Sequence, residues 1–482
     1  RFELLQRLAR DAQRHLVLLT ATPHSGDETA FYNLLSLLDP RFAALQGRMT
    51  ASDPLRQELA RHFVQRRRKD IVEWQAETHD GRGFPRRMKT ELTYQLSGEW
   101  GAFFDAVQDY CRELAETVEQ QEQQGGARLI WYATLALLRC VASSPAAAVK
   151  ALTTRLEGTV LDEALLGDER LHDGEADDLS GSDLEPPAQV QDAAPRLQAL
   201  IADAQRLSGK AGDPKLAALI RHIDLLVKDG YHPVVFCRYI ATAHYVAEHL
   251  KAAFPKATVD AVTGELTPEE RRERVDELED AEQRILVATD CLSEGINLQH
   301  LFTAVVHYDL AWNPTRHEQR EGRVDRFGQQ ADEVRCTMLY GQDNPVDGFV
   351  LNVILKKGEA IQKELGVLVP MPEDEARINQ ALVKAALMKR SDSRTASSQV
   401  AFDFGEPEQL LAPLQAQWRD ALEKAKANRT VFAQRRIKPD EVLPEWHKQQ
   451  QALGTQADVQ RFLQSACVRL GSPLEIGRKQ TA

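Results

Sequence analysis

"RILVATDCLSEGINLQHLFTAVVHY", residues 284–308, holds two short apolar runs, RILVAT (284–289) and FTAVVHY (302–308), on either side of a polar loop. Apolar runs of this length bounded by turn residues read as buried strands. A Gly and a small polar residue directly after a strand let a ligand approach the backbone, although an ordinary turn explains such a loop equally well. Outward from this stretch the rhythm repeats. A helical pattern at 213–229 precedes PVVFC (233–237), one at 241–252 precedes ATVDAV (257–262), and one at 267–281 precedes RILVAT. Beyond FTAVVHY, a helix at 314–326 leads to VRCTMLY (334–340) and a helix at 346–365. Strands alternating with helices predict an α/β fold: a parallel sheet covered on both faces, with ligands at the carboxyl ends of its strands.

Upstream the pattern is less regular. Residues 1–14 read as the end of a helix, HLVLLT (15–20) as a strand running into the loop ATPHSG, and 29–39 as a helix. RHFVQRRRKDI (61–71) is strongly basic, and GRGFPRRMK (81–89) reads as a basic loop. Two helices are expected at 98–123 and 127–152, with Pro145 marking a start or a kink. Residues 157–194 are acidic, with Gly, Ser and Pro and few aromatics, the composition of a mobile insertion. The strand pattern ends near 367; helices are expected at 373–390, 407–428 and 455–470, with a polar linker at 391–399. The expected divisions are therefore 1–95, 96–156, 157–194, 195–366 and 367–482.

A chain of 482 residues is too long for one core. Its longest apolar run, LIWYATLALL (129–138), is well short of the ~20 residues that span a bilayer. No secretory signal opens the sequence. The six cysteines form no C-x-x-C pair, and no His/Cys cluster has metal spacing. A reducing cytoplasm without a structural metal is the expectation. Net charge is −12, but residues 157–192 carry twelve acids against Arg170 alone. The remainder is near neutral, so bulk charge does not exclude a basic groove.

Next to the opening stretch lies DLAWNPTRHEQREGRVDRFGQ (309–329), crowded with arginines. Gln319, Arg323 and Arg326 fall at i, i+4 and i+7 and would share one helix face. Arg320 has Arg316, not an acid, four residues before it. Like charges at that spacing repel, and Gly322 lowers helix propensity further. A solvated charged face is the alternative; a phosphate, the natural partner of closely set guanidinium groups, accounts for the crowding better.

These segments resemble motifs of the superfamily-two helicases, and specifically of the SWI/SNF-type ATPases. VVFCRY (234–239) resembles motif IV, ATDCLSEGINLQ (288–299) motif V, and WNPTRHEQREGRVDRFGQ (312–329) motif VI, with Trp-Asn-Pro and the closing Arg-x-Gly-Gln as marks of the SWI/SNF group. LLTATPHSG (18–26) resembles motif III at the end of a first RecA-like lobe, and FVQRRRKDI (63–71) that group's basic box. The resemblance covers about residues 15–365. It implies a RecA-like second lobe, with Arg323 and Arg326 as arginine fingers on the γ-phosphate of ATP and Gln319 on the nucleotide side. Gly295, Asn297, Arg320 and Gly322 would lie near the nucleotide, and Arg238 and Thr289 near the DNA backbone. Thr20, Thr22, Arg66 and Arg67 would couple hydrolysis to lobe movement. ATP and Mg²⁺ are the implied cofactors and double-stranded DNA the implied partner.

Two departures, Ser293-Glu294 in motif V and TATPHSG in motif III, resemble bacterial branches. LLRCVASSPAAAVKAL (137–152), the acidic insert and residues 427–454 most resemble the DISARM-associated helicase, which implies phage defence. A phosphate loop needs G-x-x-x-x-G-K-[ST]. In LSGKAG (207–212), Ala204 replaces the first Gly and Ala211 the last Ser/Thr. Neither LDEALL (161–166) nor PDEVLP (439–444) completes an Asp-Glu-x-His box. In the resembling family both elements precede motif III, so the expectation is an amino-terminally truncated chain, unable alone to hydrolyse ATP.

The basic set Arg66, Arg67, Arg68, Lys69, Arg86, Arg87 and Lys89 would suit phosphate contacts along a duplex, or equally a solvated surface. No closely spaced aromatics offer stacking for single-stranded bases. Residues 373–482 carry no legible chemistry; docking to a protein partner and packing on the second lobe are the two readings. Against the DNA-dependent ATPase stand an RNA or single-strand helicase and a non-catalytic nucleic-acid-binding subunit.

Overall fold

The computed structural model describes residues 2–11, 13–19, 28–46, 54–62, 84–96, 98–120, 134, 136–157, 194–293, 296–311, 314–344, 346–347, 448 and 456–471. It divides into two units, residues 1–62 with 84–432 and residues 63–83 with 433–482. The helices of the first are α1 (Phe2–Ala9), α2 (Glu28–Leu38), α3 (Pro54–His62), α4 (Gly98–Gln120), α5 (Pro145–Leu156), α6 (Ala194–Arg206), α7 (Pro214–Lys228), α8 (Ile240–Ala253), α9 (Pro268–Asp276) and α10 (Pro314–Glu321), with a further helical run over 136–143. In the second unit, α11 (Gln456–Arg469) matches the helix expected at 455–470. Thr20, Thr22, Arg66, Arg67, Gly295, the acidic insert from 158 to 193 and the helices expected at 373–390 and 407–428 lie outside the described residues.

Six strands, β1 (Arg86–Tyr94), β2 (Pro233–Phe236), β3 (Thr258–Val262), β4 (Arg284–Ala288), β5 (Ala304–His307) and β6 (Glu333–Gly341), form one sheet in the order β1-β6-β5-β2-β4-β3. Every pairing is parallel. The parallel α/β sheet expected from the alternation is therefore present, as the RecA-like lobe implied by the resemblance requires. Register explains the continuous apolar runs. Val234 lies beside Leu286 and Val305, and these three share one core with Phe236, Val262 and Ala288. Their neighbours Val235, Ile285, Val287 and Val306 point to the other core, built with α4 to α8. α9 and the segment after α10 cover the first face through Val275 and Val324. Strands buried on both faces cannot alternate with polar residues.

Local signals set the helix ends. Asp213 and Ser144 cap α7 and α5, each followed by Pro at the first helical position, so Pro145 marks a start. Thr267 and Glu270 form a capping box on α9. α7 ends at Gly230, φ +83°, with Tyr231 N–H donating to Leu226 C=O at 2.9 Å and Gly230 N–H to Val227 C=O at 3.1 Å. That left-handed closure favours glycine and turns the chain into β2.

Three expectations are corrected. Residues 86–89, read as part of a basic loop, open an edge strand, β1, that pairs with β6 along its length. Their charged side chains hid the strand, and charges suit an unpaired edge. HLVLLT makes no strand: residues 15–19 pair with none of the six, and Val17 and Leu19 are 76% and 91% exposed. The helix expected over 314–326 stops at Glu321, a difference that decides the site below. No helix among the described residues is long and apolar enough to cross a membrane.

Candidate functional site

The sheet reverses its winding at β2. The chain leaves β2 for β3 at one edge, returns to β4 beside β2, then crosses to β5 on β2's other side. Loops after β2, β4 and β5 meet at this point, where ligands of open α/β sheets bind. Each of β4 and β5 is followed two residues later by an aspartate, Asp290 and Asp309. Both are buried, so both need cationic or N–H partners.

Asp290 receives Arg320 from α10 in a two-point pairing, Nε to Oδ1 at 2.6 Å and Nη2 to Oδ2 at 2.8 Å. Arg320 Nη1 also donates to the Asp309 carbonyl at 2.9 Å, and Arg238 Nη1 lies 3.9 Å from Asp290. Arg316, one turn before Arg320, is buried and donates to Ser293 Oγ at 3.2 Å. The Asp309 carboxylate accepts from Lys215 Nζ at 2.7 Å, Arg238 N–H at 2.8 Å and Ser143 Oγ at 2.9 Å. Lys215 donates also to the Ala142 carbonyl at 3.1 Å and stands 4.4 Å from the Tyr308 ring centroid. Burial pulls its ammonium down, but Asp309, Asp347 and Asp213 outweigh that and its pKa lies above the ordinary lysine value. Burial raises Asp213 to about 6 against the N–H groups it caps, Lys215 and the Tyr245 hydroxyl. Asp347, which accepts from Tyr94 Oη at 3.0 Å, is likewise raised by burial.

α10 carries two guanidinium groups inward and stops. Gly322 follows its last residue, and a Cβ there would sit 2.9 Å from the Glu318 carbonyl. Arg323 and Val324 then bond back by three residues, to Arg320 and Glu321, the tighter turn usual at helix ends. Gly328, φ +86°, completes the reversal into β6. Arg323 and Arg326 therefore leave the helix direction that fixes Arg320. Arg323 is half-buried, its Nε 3.4 Å from the Gln319 carbonyl, and its own carbonyl accepts Leu298 N–H at 3.1 Å. Arg326 is exposed and donates from Nη1 to Asn297 Oδ1. Gln329 holds the end of the segment, donating to the carbonyls of Phe302 and Val324 at 3.0 Å each and accepting from Ala331 N–H at 3.1 Å.

His307, at the end of β5, packs against His317 of α10, ring centroids 4.5 Å apart and both buried. Burial, then the neighbouring ring and Arg320, pushes His317 down to about 3, and His307 also falls well below the ordinary value, through burial and then Arg320. Both are neutral at pH 7: His307 Nε2, 3.3 Å from Glu321, makes a hydrogen bond rather than an ion pair, and Ala311 N–H donates to His317 Nε2 at 3.0 Å.

The structure thus brings Asn297, Gln319, Arg323 and Arg326 to one side of the motif VI segment. Arg320, expected at the nucleotide, is fully buried in Asp290. Gly322 serves the helix end. Arg238 and Thr289, expected at the DNA backbone, are 5% and 0% exposed, and the Thr289 hydroxyl is buried with no hydrogen-bond partner among the described residues. Arg87, expected among phosphate contacts, instead faces Glu318, Glu321 and Asp325. Asp290, Asp309 and Lys215 escaped the sequence reading; the one signal for the aspartates was their shared position just beyond two apolar strands.

The guanidinium group of Arg326 suits an anionic phosphate: it donates to the Asn297 amide oxygen, and among the described residues no carboxylate is bonded to it. For a divalent metal there is no fit, since no three His, Cys, Asp or Glu side chains among the described residues are grouped to hold one. LSGKAG is not a phosphate loop in context either. It joins two helices, and Gly209 N–H donates to Tyr245 Oη at 2.9 Å.

Residues 214–328 match the family model of the helicase conserved C-terminal domain. A curated relative described as an uncharacterized ATP-dependent helicase YqhH of Bacillus subtilis is 38% identical over 85 residues, 18% of this chain and 15% of the relative. The ATP-dependent RNA helicase eIF4A of Meyerozyma guilliermondii is 34% identical over 97 residues, 20% of this chain and 24% of the relative. The chain thus spans less than a quarter of either relative. Among solved structures, the Sulfolobus solfataricus SWI2/SNF2 ATPase core in complex with dsDNA aligns at 14% identity and TM-score 0.42, over 77% of this chain and 66% of that one.

Proposed function

We propose, for a chain whose residues 214–328 form a helicase conserved C-terminal domain, that the intact protein is an ATP-dependent motor of the SWI/SNF type moving on double-stranded DNA. In this reading Arg323 and Arg326 reach the γ-phosphate of an ATP held across a cleft and stabilise the charge that develops as water attacks in line. Gln319 and Asn297 orient them. The observation that carries the reading is the separation of the arginines. Arg316 and Arg320 are buried in the lobe, whereas beyond a helix stop Arg323 is half-buried and Arg326 is exposed beside Asn297. ATP brings Mg²⁺ with it in such enzymes; among the described residues no group of three His, Cys, Asp or Glu side chains is placed to hold a metal ion.

Duplex DNA as the track rests on the resemblance of Trp312-Asn313-Pro314 and Arg326-x-Gly328-Gln329 to the SWI/SNF marks. A second reading, an RNA or single-strand helicase, draws on the similarity to the ATP-dependent RNA helicase eIF4A. A non-catalytic nucleic-acid-binding subunit is the third. ATP turnover by the intact protein with duplex DNA, single-stranded DNA and RNA separates them. Stimulation by duplex DNA alone is expected; equal stimulation by RNA sinks the duplex claim, and no turnover with any of the three sinks the motor. A role in phage defence rests on the narrower resemblance of 137–152 and 427–454, and unchanged plaque counts after deletion of the coding sequence from its host would remove it.

A further inference from the structure

Arg326 is braced on both sides by the beginning of β1. One chain neighbour, Asp325, is buried against Arg87 Nε. The other, Phe327, packs edge-on against Phe84, ring centroids 5.9 Å apart with planes at 71°. Arg87 reaches back along the same segment as well, with Nη1 at 3.0 Å from both oxygens of Glu318 and 2.6 Å from Glu321. Its side chain is 18% exposed, that of Glu321 5% and that of Asp325 0%. A planar fork that meets three carboxylates at once fixes their relative positions more firmly than a point charge would. All three carboxylates belong to the stretch that carries Arg323 and Arg326.

Attachment of an edge strand explains little of this. β1 is already held by its ladder to β6 and by Arg86 Nη2 on Glu333 at 2.7 Å. The Arg87 and Phe84 contacts go past β6 to the arginine segment, 231 to 243 positions further along the chain. An exposed arginine has many rotamers, and ordering it costs entropy. Holding the backbone at Asp325 and Phe327 confines where the Arg326 side chain begins.

We propose that Arg87, with Phe84 beside it, is a positioning residue that sets Arg326 and Arg323 in the geometry needed to meet the γ-phosphate. This rests on the arginine-finger reading above. Arg87 touches neither nucleotide nor DNA in this scheme. Its loss leaves substrate binding in place and misaligns a group that acts in the transition state, so it lowers kcat rather than raising KM.

The test is DNA-stimulated ATP turnover by the intact protein. Arg87→Met is expected to lower kcat about 10- to 100-fold, with the KM for ATP and the affinity for DNA little changed; the thermal midpoint should fall, because buried Glu321 and Asp325 lose their cation. Arg87→Lys, which keeps the charge and loses the fork, should fall between the parent and Arg87→Met. Phe84→Leu should lower kcat by a smaller factor. Tyr340→Phe, which removes a β1–β6 contact to Glu91 further along the strand, should leave all four quantities unchanged. In an Arg326→Lys background, Arg87→Met should cost distinctly less than it does alone.

Should Arg87→Met prove unfolded, Phe84→Leu and Asp325→Asn carry the same comparison. The proposal is overturned if these variants keep parental kcat while Arg326→Ala loses turnover. It is overturned also if the Arg87→Met loss lies in KM, or persists undiminished in the Arg326→Lys background. Parental turnover by Arg326→Ala removes the finger reading itself, and the positioning role with it, an outcome distinct from the other two.

Discussion

Arg320 and Arg326 stand within two helical turns of each other in sequence, yet the fold uses them in opposite ways. Arg320 is fully buried, paired at two points with Asp290 and bonded to the Asp309 carbonyl. Arg326 is exposed, with an amide oxygen as its partner. What separates them is the stop of α10 at Glu321. Before it, helical spacing stacks Arg316 and Arg320 on the inner face; after it, turns carry Arg323 and Arg326 outward. The run of arginines thus divides at the helix stop: Arg320 pairs with Asp290 and Arg316 with Ser293, while Arg323 is half-buried against the Gln319 carbonyl and Arg326 is exposed beside Asn297.

The sharpest way to break this comparison is to remove one arginine of each kind from the intact protein. Arg326→Ala is expected to lower ATP turnover by about a thousandfold or more, with DNA binding within about twofold and the thermal midpoint unchanged, because an exposed arginine contributes little to folding. Arg320→Ala strands a buried carboxylate and should destabilise the lobe by about 3–5 kcal/mol. Denaturant titration of both variants beside turnover and filter binding distinguishes them. If Arg326→Ala weakens DNA binding as much as it slows turnover, the exposed arginines read a backbone and not a nucleotide.

A second difference lies under the same site, between buried acids held above their ordinary pKa and buried histidines held below it. Asp213, raised from 3.8 to about 6 chiefly by burial, binds its proton more readily folded than unfolded, so its share of stability falls as pH rises between those values. His317, lowered from 6.5 to about 3 chiefly by burial, binds its proton less readily folded, so its share grows as pH rises over that window and is lost on acidification. The two oppose one another between about pH 4 and 6. Asp213→Asn keeps an acceptor for the α7 cap, and His317→Gln keeps one for Ala311 N–H. Relative to the parent, Asp213→Asn should make stability rise more steeply with pH across that window, and His317→Gln should make it fall, each by a few kcal/mol at the extremes. Denaturation midpoints taken at half-unit pH steps measure this. Tilts of the same sign in both variants would mean that one of these burial arguments is wrong.

How much of this was legible in the sequence depended on which physical signal each part carries. β2 to β6 announce themselves because strands buried on both faces must be apolar throughout. β1 does not, since RRMKTELTY meets the sheet on one side only and its charges read as loop. The crowding of arginines pointed to the right segment, but spacing alone cannot tell which guanidinium meets an aspartate from another loop. Arg320 was therefore placed with Arg326, when Asp290, thirty positions earlier, was its partner. Gly322 carried the information that would have separated them. A glycine at that point ends a helix as readily as it weakens one, and an unbroken i, i+4, i+7 pattern through it was the wrong inference.

The smallest effect concerns Gln329, which the sequence offers only as a group mark. Its amide donates to Phe302 and Val324 carbonyls on two separate segments and accepts from Ala331 N–H. It therefore closes the loop behind Arg326, whose carbonyl also accepts the Gln329 backbone N–H at 3.1 Å. Gln329→Glu keeps the acceptor and replaces both donors with oxygen beside two carbonyl oxygens, while Gln329→Ala removes all three bonds. At about 0.5–1.5 kcal/mol net per bond, and with the site half-buried, Ala should cost about 1–3 kcal/mol and Glu at least as much above its carboxylate pKa. Protonation at low pH restores one donor, so the Glu variant should recover part of its deficit on acidification where the Ala variant does not. Turnover should fall by no more than a few-fold in either. A loss on the scale of Arg326→Ala would put Gln329 among the groups that act on the nucleotide, and the division between a buried framework and the exposed Arg326 would need redrawing around it.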